Sequence, residues 1–475
     1  MNFNSIAFAC FLPVVFLLYW TLFKRKQWIL LLISSYIFYM NWSVKYALLL
    51  LFTTAVTYCC GNLLRKAKSV KIRKLILGCA VFSCIGVLFL FKYINLFTDT
   101  LSNIAGIFGM QLQPITLSLL LPVGISFYTF QTLSYVIDVY YERVYPERHF
   151  GKYAAFISFF PQLVAGPIER TDNLLPQIKQ EHYFQYNDVV YGLRQMLWGF
   201  YKKIVIADTL AYYVDLVYDM PYAYEGGALL ISSLFFSLQI YCDFSGYSDI
   251  AIGTAKLFGI NLMKNFSNPY LSVSINEFWK NWHISLSSWF RDYVYIPLGG
   301  NRKGTVRKYI NILITFLLSG LWHGADMTFV LWGGVHGLAQ IAENLFVSRK
   351  RKFHWLSVIG VFSFVSFVWI FFRANNVQEA LYIIQHMFVG ITSPLTFVQN
   401  GLITIGIGKW TCFQIAGCVA ILIVFDIISL RSNPLEDISK LPRILRRGIY
   451  YALGVVLIIC CFRNIGENQF VYFQF

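Results

Sequence analysis

The chain has 475 residues, of which 57% are hydrophobic and only 13% are charged, and its mean hydropathy is +0.58. A composition this apolar excludes a soluble globular protein. Apolar runs recur along nearly the whole length without the alternation of a membrane β-barrel. The sequence therefore predicts an all-α polytopic membrane protein that forms a single integral membrane domain over residues 1–475.

The net charge of +16 comes from short basic clusters beside the apolar runs. Such clusters are typical of cytoplasmic loops that face an anionic leaflet, and they give no reason to expect nucleic acid as a partner. The ten cysteines include no Cys-x-x-Cys pair, and we interpret them as small core residues. The histidines lack metal-ligand spacing, so we expect no metal site.

The amino-terminal part of the chain contains five apolar runs, and basic clusters follow the first and the third of them. By the positive-inside rule these clusters predict an N-terminus outside the cell. Counting the later runs in the same way predicts roughly ten to eleven transmembrane helices and a C-terminus that is also outside. The five runs cover residues 5–23, 28–40, 46–64, 75–97 and 115–140.

Two segments after the fifth run are apolar in part but poor candidates for crossing. Residues 156–170 are broken by two prolines and a glycine, which predicts a re-entrant or interfacial segment. Residues 187–218 mix lysines and aspartates with aromatic side chains, which predicts a helix lying partly in the membrane interface.

A polar motif follows the next apolar run, residues 226–241, which we expect to break up there. The motif contains Asp243, Ser245 and Asp249. Two carboxylates and hydroxyls beside an apolar run are costly against lipid, so we expect them to line a cavity or tunnel. A solvated loop at the membrane edge would have the same composition.

Aromatic residues dominate the segment 276–292. Phe278, Trp282, Ser285 and Trp289 share one face at helical spacing. The segment is therefore predicted to be one aromatic-rich interfacial helix, with His283 inside it.

The stretch from Ser319 to Asp326 lies between two apolar runs, so His323 is predicted at or near membrane depth in a helical hairpin. A group that titrates near neutrality is costly there unless it lines a cavity or finds a partner. We interpret His323 as functional, with a helix-capping histidine as the alternative. His336 fits either a tunnel residue or a helix-packing histidine.

Five motifs, in chain order, resemble the membrane-bound O-acyltransferase superfamily, and within it most closely the bacterial alginate O-acetyltransferase (AlgI-like) branch. The family's two signature histidines match His283, in Trp-His-Ile-Ser, and His323, in Trp-His-Gly. The resemblance spans the chain from about residue 117 to its end. The five motifs lie at residues 121–131, 160–168, 243–249, 278–287 and 320–324.

The resemblance implies a helical bundle around a transmembrane tunnel in a bacterial inner (cytoplasmic) membrane. It implies a cytoplasmic acyl donor, here acetyl-CoA as a substrate, and no bound cofactor. An extracytoplasmic SGNH-type acetyltransferase partner would complete the modification of an exported polysaccharide, and membrane lipid would surround the protein. Trp322 and Ser319 would line the tunnel or support the site.

Acyl transfer from a thioester to a hydroxyl needs a base and stabilisation of the oxyanion. We assign His323 as the general base, and His283 as the group that orients the thioester or donates to its carbonyl. Tyr472, between two phenylalanines, resembles the aromatic C-terminal motif of the D-alanyl branch's small partner. It is a candidate acyl shuttle or an interfacial anchor.

Two other functions remain open from the sequence. One is transfer of D-alanine from a carrier protein to teichoic acid, in the manner of the family's DltB-like branch. The other is a non-catalytic transporter or channel, since broken helices and buried polar residues also occur there. The sequence shows no half-to-half repeat that would favour a transporter.

Overall fold

The computed structural model describes residues 1–110, 113, 121–346, 355–463 and 470. These residues form helices and turns without a β-strand, which confirms the predicted all-α class. The chain divides into two compact units, Met1–Met196 with Ile250–Met263 and Leu197–Asp249 with Lys264–Phe475. That the whole chain acts as one domain stays a prediction.

The first unit begins with long apolar helices and continues with shorter ones. The fifth predicted run lies partly outside the described residues, and its described part forms a helix from Ile125 onward. The helices are α1 (Ile6–Thr21), α2 (Gln27–Met40), α3 (Val44–Lys66), α4 (Val70–Lys92), α5 (Ile94–Ile107), α6 (Ile125–Tyr140), α7 (Phe150–Ser158), α8 (Phe160–Leu163), α9 (Thr171–Lys179) and the start of α10 (Tyr186–Phe200).

The predicted broken segment, residues 156–170, contains the end of α7, the one-turn helix α8 and an irregular stretch. Every residue from 156 to 169 is buried. Polar contacts satisfy the backbone groups that the breaks release: the Phe160 N–H donates to Ser35 Oγ (3.0 Å), and the Gly166 N–H donates to the Gln162 carbonyl (2.9 Å). Such internal partners are what irregular backbone needs when it is buried.

The second unit contains a π-helical turn (Tyr201–Ala207) and most of the remaining helices. The helices of this part of the chain are α11 (Asp208–Tyr218), α12 (Gly227–Leu257), α13 (Ile275–Asn281), α14 (Ile284–Phe290), α15 (Thr305–His323), α16 (Met327–Phe346), α17 (Trp355–Arg373), α18 (Val377–His386), α19 (Pro394–Thr404), α20 (Lys409–Ser429), α21 (Pro434–Asp437) and α22 (Arg443–Arg463); the last residues of α12 belong to the first unit.

Two expectations for this region were wrong. The apolar run after residue 226 does not break up at its polar motif, because α12 continues as one helix to Leu257. Lys202 and Lys203 do not lie in an interface, because both are buried at about 5% exposure. The two differences have one cause: the lysines of the π-helical turn pair with the carboxylates of α12, so neither set needs water.

Six helices in the described part of the chain are long and apolar enough to cross a membrane, and α1 and α2 are shorter apolar helices. The six are α3, α4, α12, α17, α20 and α22. This count is lower than the ten to eleven helices predicted. Helices α15 and α16 are long enough but carry charged and polar residues within their lengths, so composition alone does not mark them as membrane-spanning.

Candidate active site

His323 is the last residue of α15, directly before the turn into α16, as the hairpin pattern predicted. Small residues let the two helices approach closely. A Cβ on Gly320 would lie 2.2 Å from the Phe329 carbonyl oxygen, and a Cβ on Gly333 would lie 2.3 Å from that of Phe316. The hairpin therefore holds His323 at the end of a tightly packed helix pair.

Aromatic rings surround the His323 imidazole. The ring centroids of Trp322, Trp332 and Phe372 lie 4.9, 5.0 and 5.3 Å from it, all in edge-to-face geometry. The side chain is buried and retains 4% exposure. The rings therefore leave little of the imidazole accessible to solvent.

His283 has a strained backbone. Its φ of 44° and ψ of 55° are left-handed, a conformation that costs a residue other than glycine about 1–3 kcal/mol. The expectation of one continuous interfacial helix over residues 276–292 was therefore wrong, because α13 ends at Asn281 and α14 begins at Ile284. His283 lies between them, fully buried.

The structure brings the two signature histidines to one tryptophan. The ring centroid of His283 lies 6.0 Å from that of Trp322, whose ring is also 4.9 Å from His323. Phe244 of α12 covers another side of His283 at 4.6 Å. Burial lowers the pKa of His283 to about 3, so this imidazole is neutral at any physiological pH.

His336 lies one turn beyond Trp332 on α16 and is completely buried. Its Nδ1 accepts a hydrogen bond from the Trp279 indole N–H (3.4 Å). Within the described residues, its Nε2 and the indole nitrogens of Trp332 and Trp369 have no hydrogen-bond partner. Two of the ring pairs around them are nearly perpendicular (Trp279–Trp332 75°, Trp369–Phe372 89°), a geometry in which a ring face can accept an N–H group, whereas Trp332 and Trp369 are stacked on each other (22°).

The polar motif on α12 forms a buried ion-pair network. Lys203 pairs with Asp243 (2.5 Å) and with Asp208 (2.8 Å). Lys202 pairs with Asp249 (2.6 Å) and donates to Ser245 Oγ (2.9 Å). Each buried charge therefore has a partner of opposite sign, as burial requires. The predicted tunnel lining by Asp243, Ser245 and Asp249 stays a prediction.

Two further residues were predicted for the site, Ser319 and Tyr472. Ser319 is buried one helical turn before His323, so the two side chains lie on the same face of α15. Tyr472 lies outside the described residues. The nearby Phe470 is described: it is 3% exposed and packs against Tyr247 and Phe244 of α12, with ring centroids 4.9 and 5.7 Å away.

Sequence reasoning missed Asn265 as a site residue and did not recognise Lys202 and Lys203 as buried. Asn265 is buried and hydrogen-bonds both residues that follow His283. No local pattern marks it, because its partners lie 17 or more residues away in the chain. The lysines gave a signal, since two adjacent charges amid apolar and aromatic residues need partners wherever they are buried.

Where the described residues are concerned, the structure contains no group of three or more His, Cys, Asp or Glu side chains that could hold a metal ion. The site defined above instead consists of two buried imidazoles among aromatic rings. Imidazoles are the side chains that most often transfer protons in enzymes, so the two histidines are the candidate acid–base groups of this site.

Comparison with known proteins gives the family. Residues 147–384 match the model of the membrane-bound O-acyltransferase (MBOAT) family. The chain is 42% identical to a probable alginate O-acetylase AlgI of Pseudomonas aeruginosa, over 85% of this chain and 78% of that protein. It is 36% identical to a peptidoglycan O-acetyltransferase of Helicobacter pylori, over 81% and 79% of the two chains.

A teichoic acid D-alanyltransferase of Bacillus subtilis is more distant, at 28% identity over 53% of this chain and 69% of that protein. The chain belongs to the membrane-bound O-acyltransferase family, in the branch that resembles AlgI. It is therefore a membrane-bound acyltransferase, and the alternative of a non-catalytic transporter has no support from its relatives.

Proposed function

We propose that this enzyme transfers an acetyl group from cytoplasmic acetyl-CoA across the membrane for O-acetylation of an exported or cell-wall polysaccharide. Relatives at 36–42% identity are named for acetylation of alginate and of peptidoglycan, whereas the D-alanyltransferases are more distant. The observation that carries the proposal is the convergence of His283 and His323 on Trp322.

In this mechanism the His323 imidazole takes the proton from the acceptor hydroxyl as the hydroxyl oxygen attacks the thioester carbonyl. The C–O bond forms, the C–S bond breaks, and the proton passes from the imidazolium to the leaving thiolate. His283 donates an N–H to the carbonyl oxygen as negative charge develops on it. A pKa of about 3 keeps His283 neutral and leaves one ring N–H for this role.

The acceptor end of the reaction requires access from outside the cell. We propose a tunnel that links the cytoplasmic donor to an extracytoplasmic SGNH-type acetyltransferase, which transfers the acetyl group to the polymer. The N- and C-termini lie outside in this arrangement, which follows from the positions of the basic clusters. Asp243, Ser245, Asp249, Ser319 and His336 line or support the path.

Tyr472 is proposed as an acyl shuttle within this scheme. A phenol accepts an acetyl group when a base removes its proton, and the aryl ester is then a reactive onward donor. Phe470, two residues before Tyr472 in the sequence, packs against Phe244, which itself packs on His283, and this contact supports the proposed shuttle. In the sequence of α12, Asp243 and Asp249 lie on either side of the residues that Phe470 contacts.

Replacing His323 with alanine tests the central role. We expect His323→Ala to lower acetyl-ester content of the exported polymer by about 10²–10⁴-fold, because the base is lost. Mass spectrometry of the glycan, normalised to membrane-inserted protein, measures it. His386→Ala, at the partly exposed end of α18, should retain acetylation. Normal acetylation in the His323 variant would reject the proposal.

Replacing Tyr472 with phenylalanine tests the shuttle, because it removes only the hydroxyl. We expect acetylation in cells to be lost while acetyl-CoA binding to the purified protein is unchanged. A Phe470→Leu variant serves as the control for packing and should retain most of the activity. Full acetylation by Tyr472→Phe would leave Tyr472 as an interfacial anchor and refute the shuttle.

The second candidate is D-alanyl transfer to teichoic acid, which the similarity to D-alanyltransferases favours. The two functions differ in their donors, because D-alanine arrives on a carrier protein and acetyl on coenzyme A. Competition between acetyl-CoA and a D-alanyl carrier protein for the purified enzyme separates them. Displacement by the carrier protein alone would favour the second candidate.

A further inference from the structure

His283 adopts a conformation that its own chemistry does not favour. Left-handed backbone is sparsely populated by residues with a Cβ, and it persists where surrounding contacts enforce it. His283 is one of three non-glycine residues with positive φ in the described part of the chain. Some contact close to it must therefore hold the segment between α13 and α14 in place.

Residues 265–267 provide that contact on both sides of His283. Before it, the Ser267 N–H donates to the Asn281 carbonyl (3.0 Å). After it, the Ile284 N–H donates to the Asn265 carbonyl (2.9 Å), and Ser285 donates twice to Asn265 Oδ1, from its N–H (3.2 Å) and its hydroxyl (2.7 Å). The backbone at His283 is thus tied down at both ends.

The amide of Asn265 also links this segment to α12. Its Nδ2 donates to Ser248 Oγ (3.2 Å). Ser248 is one helical turn beyond Phe244, whose ring packs against the His283 imidazole at 4.6 Å. The same face of α12 therefore anchors Asn265 and covers His283. Helix α12 therefore contacts the His283 ring directly and supports its backbone through Asn265.

We infer that Asn265 is a positioning residue of the acyltransferase site: its side chain holds the left-handed turn that directs the His283 imidazole toward Trp322. The inference rests on the proposed role of His283. Asn265 is completely buried, and its side chain bonds Ser285 and Ser248 rather than the His283 ring, so it would act on the reaction through the position of His283. Its amide has the required chemistry, because Oδ1 accepts the two Ser285 bonds while Nδ2 donates to Ser248.

Two substitutions separate the hydrogen bonds from the volume of the side chain. Asn265→Ala removes all the side-chain bonds and keeps the backbone bond to Ile284. Asn265→Asp can keep the whole pattern, because both Ser285 donors still meet an oxygen and the Ser248 hydroxyl can turn to donate. Asn311→Ala is the matched control: Asn311 is equally buried and donates to the carbonyls of Leu298 and Gly300.

The assay is release of coenzyme A from acetyl-CoA by membrane vesicles of polymer-producing cells, with the rate normalised to folded enzyme. We expect Asn265→Ala to lower the maximal rate 10- to 100-fold while the KM for acetyl-CoA changes less than 3-fold. Asn265→Asp should remain within 3-fold of wild type. Asn311→Ala should remain within 3-fold as well, whatever its effect on thermal stability.

A double-variant cycle decides between positioning and general stability. His283→Gly tolerates the left-handed backbone and removes the imidazole. If Asn265 acts through His283, adding Asn265→Ala to His283→Gly lowers the rate no further. A multiplicative further loss, or a wild-type rate for Asn265→Ala alone, overturns the inference. Wild-type activity of His283→Gly would instead reject the proposed role of His283.

Discussion

At the scale of single residues, the sequence marks the two histidines as candidates but does not show what surrounds them. Both occur in short motifs with tryptophan, and a titratable residue at membrane depth is a functional candidate from sequence alone. The left-handed backbone of His283 and its link to Asn265 depend on hydrogen bonds between residues 19 and 20 positions apart in the chain. Helical periodicity across residues 276–292 wrongly predicts one continuous helix, because it does not reflect contacts with distant parts of the chain.

Burial of His283 predicts a dependence of stability on pH. The pKa falls from its ordinary value of 6.5 to about 3 in the folded protein. Between these values the unfolded chain binds a proton that the folded chain does not, so acid destabilises the fold by up to about 1.4 kcal/mol per pH unit. This destabilisation is absent above about pH 6.5 and grows as the pH falls toward 3.

Thermal unfolding of the detergent-solubilised protein between pH 4 and pH 7 measures this dependence. We expect the unfolding temperature of the wild type to fall with acid more steeply than that of His283→Gly, which has lost the group. Parallel pH curves for the two proteins would contradict the expected contribution of His283.

At the scale of helices, the close packing of α15 on α16 depends on glycines at the contact. The sequence shows the glycines but not which of them face the partner helix. Gly333 and Gly334 are neighbours, yet only Gly333 faces the partner helix. A Cβ on Gly333 would lie 2.3 Å from the Phe316 carbonyl oxygen, whereas a Cβ on Gly334 would meet only a Leu317 methyl at 3.5 Å. Which glycine faces inward depends on how the hairpin closes.

This difference gives a matched pair of variants. Gly333→Ala should destabilise the protein by about 1–3 kcal/mol, because backbone must move to admit the methyl group. Gly334→Ala should be neutral or stabilising by up to about 1 kcal/mol, because alanine favours helix over glycine. Unfolding temperatures and retained acetyltransferase activity measure both effects. Equal loss in the two variants would refute this description of the helix contact.

At the scale of the whole molecule, composition predicted a helical membrane protein and the motif order indicated its family. The ion-pair network was not predictable in detail. The polar motif of α12 indicated that its carboxylates would not face lipid, and we expected them to line a cavity. Lys202 and Lys203 are also such an environment, because a buried pair neutralises both charges.

The network predicts a large effect from one substitution. Lys203→Met should destabilise the protein by about 3–5 kcal/mol, because Asp208 and Asp243 would be left buried without their cation. Lys256→Met, which breaks a partly exposed pair with Asp188, should cost less than about 1 kcal/mol. The yield of folded protein and its unfolding temperature give the comparison. A mild effect at Lys203 would show that the network is dispensable.

The order of charges along the chain has a consequence for biogenesis. Each aspartate at the centre of a membrane helix raises the free energy of insertion by about 2.5–3.5 kcal/mol, so Asp243 and Asp249 weaken the insertion of α12 even though the helix is apolar enough to cross. Ribosomes synthesise Lys202 and Lys203 before Asp243 and Asp249, so the countercharges are already present when α12 emerges. We therefore expect the lysines of the π-helical turn to pair with the carboxylates of α12 at the translocon, before α12 contacts lipid.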